Sequence, residues 1–157
     1  MLTHLDEAGR PRMVDVGGKE ASRRTARARA IVTFPAEAAS KLVSNGFATS
    51  KGPVFQTAIV AGVMATKRTH ELIPFCHPLA LEDCSIVIDM EGNDVVIDCR
   101  VSLHARTGAE MEALTGCSVA ALTVYDMCKS LTKGIILRET RLIEKTGGKS
   151  GDWKAEE

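Results

Sequence analysis

Between residues 84 and 103 the chain alternates with a period of two, interrupted once at Gly92-Asn93. Cys84, Ile86, Ile88 and Met90 alternate with Ser85, Val87 and Asp89. Beyond the turn, Val95, Ile97, Cys99, Val101 and Leu103 alternate with Val96, Asp98, Arg100, Ser102 and His104. Successive strand side chains point to opposite faces, so this segment predicts a hairpin with one apolar face, and Gly-Asn suits the tight turn. An apolar sheet face needs a covering layer, and the rest of the chain must supply it.

The flanking segments offer that layer. Residues 1–25 are polar and glycine-bearing and read as an irregular N-terminal arm. A strand follows from Arg27 to Phe34, and Pro35 opens a helix that Asn45-Gly46 stops. Thr49 to Pro53 reads as a loop, with Pro53 leading a helix from about Val54 to Leu72. That helix is apolar on most faces, which predicts burial, and carries Lys67 and Arg68 near its C-terminal end. Pro74 and Pro78 then exclude regular helix around Cys76-His77. After the hairpin, Ala105 to Gly108 leads into a long helix, about Ala109 to Leu131. A strand from roughly Ile135 to Lys145 and a Gly-rich polar tail, 146–157, complete the chain. The order β-α-α-β-β-α-β is a split β-α-β layout with one extra helix, an α+β fold in a single domain over residues 1–157.

Lys plus Arg and Asp plus Glu both number 20, so no global field points to nucleic acid or an acidic membrane. One Trp, one Tyr and four Phe are too few for a base-stacking platform. Cys76, Cys84, Cys99, Cys117 and Cys128 form no C-x-x-C pair, and the lone His77 has no ligand partners in sequence, so a metal site is rejected. The cysteines are expected reduced and the protein cytoplasmic. No long apolar span is present.

The chemistry concentrates in a few places. On the long helix Met111, Leu114, Ser118, Leu122 and Tyr125 share one phase that runs into Lys129, with Asp126 three residues before it. This is either a surface ion pair at a helix end or a half-buried pair that trades protons, its lysine lowered in pKa by desolvation. Glu110 and Glu112 suit the positive end of that helix, and equally could accept from the N–H donors of a guanine-like edge. His77 is displayed on a rigid loop as a phosphate contact or general acid. Lys19, Arg23, Arg24, Arg27 and Arg29, with Lys145 and Lys149, are charge runs that read as solvated faces. Together with Lys51, Lys67 and Arg68 they could also surround a triphosphate. Gly148-Lys149-Ser150 is similar to the end of a phosphate-binding P-loop, but Ile143 stands where that motif needs glycine.

Seven segments resemble one family in order and spacing, from about Leu2 to Trp153. They are Met13 to Lys19, Lys51 to Phe55, Ala65 to Thr69, Ile73 to Leu79, Thr107 to Thr115, Val124 to Lys129 and Gly147 to Gly151. The family is molybdenum cofactor biosynthesis protein C, the cyclic pyranopterin monophosphate synthases. The resemblance implies a ferredoxin-like antiparallel sheet packed on helices, and a homohexamer, a trimer of dimers, with sites at subunit interfaces. It implies conversion of 3′,8-cyclo-7,8-dihydro-GTP to cyclic pyranopterin monophosphate with release of pyrophosphate.

By the same resemblance Asp126, Lys129 and Lys51 are catalytic. Phe75, Cys76, His77, Glu110, Met111 and Glu112 contact substrate. Lys19, Arg24, Lys67, Lys145 and Lys149 are further binding residues. No tightly bound cofactor is implied, leaving Mg²⁺ only as a companion of the substrate triphosphate, and no nucleic-acid or membrane partner. The competing reading is a non-catalytic, oligomeric nucleotide-binding regulatory module, since fold alone does not carry function.

Overall fold

The computed structural model describes residues 4–156; the first three residues of the expected arm and the last of the tail lie outside it. In chain order the elements are β1 (Ser22–Thr33), α1 (Ala36–Ser44), β2 (Ala48–Thr49), β3 (Gly52–Pro53), α2 (Val54–Thr66) and α3 (Thr69–Leu72). There follow β4 (Asp83–Glu91), β5 (Asp94–Ala105), α4 (Glu110–Cys128), β6 (Ile136–Thr146) and β7 (Trp153–Lys154).

The main sheet is antiparallel, in the order β4-β5-β1-β6-β7. The hairpin expected from residues 84–103 forms as β4 and β5, with Ile86 opposite Cys99 and Gly92 at the turn with φ +62°. The first strand inserts between β5 and the last long strand, which is the split β-α-β arrangement of a ferredoxin-like fold. Ala26, Ala28, Ala30 and Val32 of β1 are buried beneath the helices. Arg27 and Arg29 alternate with them, on the other sheet face, and both pair with Asp98. Two members of the basic run are therefore committed there and do not join a triphosphate site.

Five expectations need correction. The arm ends at residue 21 rather than 25, because Ser22 to Thr25 continue β1; polar strand residues are held there by pairing on the β5 side, with Thr25 also opposite Thr146 of β6. The expected helix 54–72 breaks at Lys67-Arg68 into α2 and α3. Thr66 and Thr69 donate their hydroxyls back to helical carbonyls, at Val63 (2.7 Å) and at Thr66 and Ala65 (3.1 and 3.3 Å), a local bond that competes with helix propagation. Nor is α2 wholly buried: Val60 and Met64 are exposed. The polar tail contributes β7, which pairs with Glu144 and Lys145 of β6.

The fifth correction concerns the phase of α4. Its core face is Ala113, Gly116, Cys117, Ala120, Ala121, Val124, Met127 and Cys128, not the stripe from Met111 to Tyr125. Met111 and Leu122 are exposed, and Leu114, Ser118 and Tyr125 are half-buried. Small side chains let α4 approach α2: a Cβ added at Gly62 would sit 2.9 Å from the Gly116 carbonyl oxygen. All five cysteines are free thiols, and the buried Cys117 Sγ donates to the Ala28 carbonyl at 3.2 Å.

Candidate active site

The two ends of α4 carry two different clusters. At the C-terminal end Asp126 lies between two lysines. Its Oδ1 is 2.8 Å from Lys129 Nζ and its Oδ2 is 2.7 Å from Lys51 Nζ. Lys51 reaches this point from the turn between β2 and β3, where Gly52 takes φ +111°. Thr49 of the same hairpin donates to the Met127 carbonyl at 3.0 Å, and Lys51 Nζ donates to the Asp126 carbonyl at 3.1 Å. The hairpin thus satisfies carbonyls that the last helical turn leaves open, and places cations at its negative end.

The Asp126–Lys129 pair expected from spacing forms and Lys51 joins it, but the electrostatics differ from the expectation. All three side chains are about half exposed, and the two ammonium groups hold Asp126 down at about 2, the Lys129 bond first and the Lys51 bond second. The hydrogen bond that Lys129 donates to Asp126 raises the lysine, opposite to the lowering expected from desolvation. The reason is the phase of α4: Lys129 stands on the outer face, in water, beside a carboxylate.

At the N-terminal end of α4 lies a cavity of about 1040 Å³. Its wall includes the 75–79 loop, the arm around Lys19, Arg24, Arg106 to Gly108, Glu110 to Glu112, Lys145 and residues 148–150. Pro74 shapes the loop as the second residue of a turn closed by Cys76 N–H donating to the Ile73 carbonyl at 3.1 Å. His77 Nε2 is 2.8 Å from the Val14 carbonyl oxygen; only an N–H can bond there, so Nε2 carries the proton and the arm is tied to the loop. Lys19 enters on a turn in which its own N–H donates to the Val16 carbonyl at 3.0 Å.

Arg24 donates to Ser22 Oγ at 3.0 Å and, from Nη2, to the Arg106 carbonyl at 3.4 Å. Its guanidinium lies against Gly148, where φ is +86° and an added Cβ would come within 2.7 Å of Arg24 Cζ. Gly148, in the segment that fails as a P-loop, therefore seats an arginine. Lys149 follows it into the cavity wall, while Lys145 Nζ is 3.0 Å from Glu110 Oε1. Glu112 is 4% exposed, and burial followed by repulsion from Glu110 raises it to about 7. The Cys76 thiol is raised by burial and by Glu112.

Of the residues singled out from sequence, Lys19, Arg24, Phe75, Cys76, His77, Glu110, Met111, Glu112, Lys145 and Lys149 all line this cavity. Lys51, Asp126 and Lys129 do not, and Lys67 caps α2 outside it. Arg106, Ser22 and Ser150 also line the cavity and were not singled out; Arg106-Thr107-Gly108 stood beside the Glu110 motif and could have signalled it. Among the described residues no group of His, Cys, Asp or Glu is arranged to hold a metal ion, and no helix is long and apolar enough to cross a membrane.

A split β-α-β domain with a cation-rich cavity that also presents carboxylates defines a binder of an anionic small molecule bearing hydrogen-bond donors. Residues 13–148 match the MoaC family profile, and the chain belongs to that family. It is 56% identical over 149 residues to a cyclic pyranopterin monophosphate synthase of Xanthomonas oryzae, covering 94% of this chain and 90% of the relative. It is 49% identical over 155 residues to a molybdenum cofactor biosynthesis bifunctional protein of Synechocystis, covering 96% of this chain and 45% of that one. A molybdenum cofactor biosynthesis protein 1 of Dictyostelium discoideum is 45% identical over 167 residues, covering 95% and 26%.

Proposed function

We infer that this chain synthesises cyclic pyranopterin monophosphate, an early step of molybdenum cofactor biosynthesis, from 3′,8-cyclo-7,8-dihydro-GTP with release of pyrophosphate. The observation that carries the reading is near-complete coverage by relatives named for this activity, with the Lys51–Asp126–Lys129 cluster formed. Arg24, Lys19 and Lys149 bind the triphosphate and stabilise the departing pyrophosphate as the cyclic phosphate closes. Lys129 and Lys51 move protons as the imidazole ring opens and the pyranopterin forms. Asp126 keeps Lys129 protonated, so its first act is to donate. No tightly held cofactor is implied, and any Mg²⁺ would come with the substrate triphosphate as its counter-ion.

Within one chain the two clusters stand apart along α4, which supports a site shared between subunits. From Glu112 to Asp126 α4 advances about 21 Å, at about 1.5 Å per residue, further than proton transfer spans. The working site is therefore composite: the cavity of one subunit is closed by Lys51, Asp126 and Lys129 of another. The exposed apolar residues between the clusters, Leu122 on α4 and Val60 and Met64 on α2, suit a subunit contact. The homohexamer, a trimer of dimers in the cytoplasm, supplies such contacts.

The first test is mass-spectrometric product analysis with 3′,8-cyclo-7,8-dihydro-GTP, for wild type and Lys129→Ala, beside GTP alone. Pyranopterin monophosphate and pyrophosphate from wild type only, and from the cyclic substrate only, are expected; unchanged substrate with folded wild type overturns the reading. Composite sites are tested by mixing inactive His77→Ala and Lys129→Ala chains through unfolding and refolding. Random pairing about a two-fold axis restores about a quarter of the sites, whereas sites within one chain restore none.

A further inference from the structure

Lys51 stands at the tip of a hairpin that its own ladder does not hold. β2 and β3 pair at Ala48–Pro53 and Thr49–Gly52, two residues from each strand, and a hairpin so short is not stable in water by itself. Contacts outside the ladder fix it. At its base Phe47 takes φ +58°, a left-handed backbone that a non-glycine residue keeps where its surroundings enforce it. Phe47 N–H donates to the Leu42 carbonyl at 2.9 Å, its carbonyl accepts from Val54 N–H at 2.9 Å, and its ring stacks on Phe55 with centroids 4.7 Å apart. The base is thereby anchored to α1 and α2.

Toward α4 the link is Thr49. Its hydroxyl donates to the Met127 carbonyl at 3.0 Å and accepts the Lys51 N–H at 3.3 Å. One oxygen thus joins the backbone that carries the lysine to the helical turn that carries its partner. Lys51 Nζ meets Asp126 at Oδ2 (2.7 Å) and at its carbonyl (3.1 Å), on the residue next to the one that Thr49 holds. The Lys51 and Asp126 side chains are 46% and 54% exposed, and an ion pair so open to water does not fix a long, rotatable side chain by itself.

We propose that Thr49 is a positioning residue for Lys51, its hydroxyl bridging the 49–51 turn to the end of α4 so that the ammonium group is held beside Asp126. The inference rests on the proposed reaction, in which Lys51 moves protons. A proton-transfer group displaced by about 1 Å loses much of its rate, while substrate binding in the cavity is unchanged. Valine keeps the branched shape of threonine and removes the hydroxyl, and serine keeps the hydroxyl.

With the assembled enzyme and 3′,8-cyclo-7,8-dihydro-GTP, Thr49→Val lowers kcat about tenfold and leaves KM within about twofold, while Thr49→Ser stays within about threefold of wild type in both. On a Lys51→Ala background the Thr49→Val change lowers kcat by no more than about twofold, because the group it positions is gone. A kcat unchanged in Thr49→Val, one that falls equally with and without Lys51, or a Thr49→Ser as slow as Thr49→Val overturns the proposal. Hydrogen exchange gives a readout apart from activity, and decides the matter if Lys51→Ala forms no product. Thr49→Val speeds amide exchange in residues 48–53 and leaves β4 and β5 at the wild-type rate. Unchanged exchange in 48–53 means that the hydroxyl does not hold the hairpin, and overturns the proposal; faster exchange in β4 and β5 as well is a general loss of stability, and overturns it too. Wild type forms product in all these outcomes; no product from folded wild type is instead the failure of the proposed function.

Discussion

Replacing Gly62 by alanine sets two opposing effects against each other at the closest approach of α2 and α4. In an isolated helix the change stabilises by about 1 kcal/mol, because glycine loses more backbone freedom on folding. Here the new methyl would sit 2.9 Å from the Gly116 carbonyl oxygen and 3.3 Å from Ala120 Cβ, and would collide with Ile86 Cδ1. Ile86 is buried and the carbonyl belongs to the helix backbone, so neither yields without a shift of the helix pair. Overpacking of a tight core costs about 1–3 kcal/mol, and a backbone obstacle argues for the upper half of that range. The net effect is a loss of about 1–2 kcal/mol, read as a fall in Tm of roughly 3–8 °C for a chain of this size. Thermal and urea unfolding of Gly62→Ala beside wild type at equal subunit concentration measure it. A Tm at or above wild type would refute the close α2–α4 contact and the reasoning built on it.

Further outcomes follow from the site. Glu112 is raised to about 7 from 4.5, so its contribution to stability is fully present below pH 4.5 and is lost as pH rises through 7. Glu112→Gln lacks this loss and gains up to about 3 kcal/mol over wild type between pH 4.5 and 8, measured by urea unfolding at the two ends. Asp126 sits at about 2, so its ion pairs persist above its ordinary range and are lost only as pH falls through 2. An acid limb in the rate profile above pH 4 therefore survives in a residual-activity profile of Asp126→Asn, whose kcat falls about a hundredfold. Gly148→Ala displaces Arg24 and raises KM about tenfold with little change in kcat; steady-state kinetics read it directly.

How much was legible without coordinates varies by element. The β4–β5 hairpin was written in its period-two pattern, because one buried face imposes that pattern on any sequence. The break of the 54–72 segment at Lys67-Arg68 is not written in its pattern: no Gly or Pro marks it, and it depends on threonine hydroxyls turning back on the chain. The β2–β3 hairpin and β7 hold two residues per strand, too short for any periodicity, and form because partners are present. In α4 the apolar stripe from Met111 to Tyr125 suggested a core face. The true core face is mostly alanine, glycine and cysteine, with Val124 and Met127 near its C-terminal end, and its small residues let α4 pack closely.

By itself the amino-acid sequence determined the chain order of the main strands and helices and the Asp126-Lys129 spacing, which follow from periodicity, and its resemblance to one family picked out ten of the residues that line the cavity. Only the tertiary structure decided that Lys51 closes on Asp126 from 75 residues away, that Lys145 belongs to Glu110, and that cavity and triad lie at opposite ends of one helix. Those are relations between segments distant in the chain. Local preference says nothing about which distant groups will meet; that is settled by how the elements pack to bury their apolar faces.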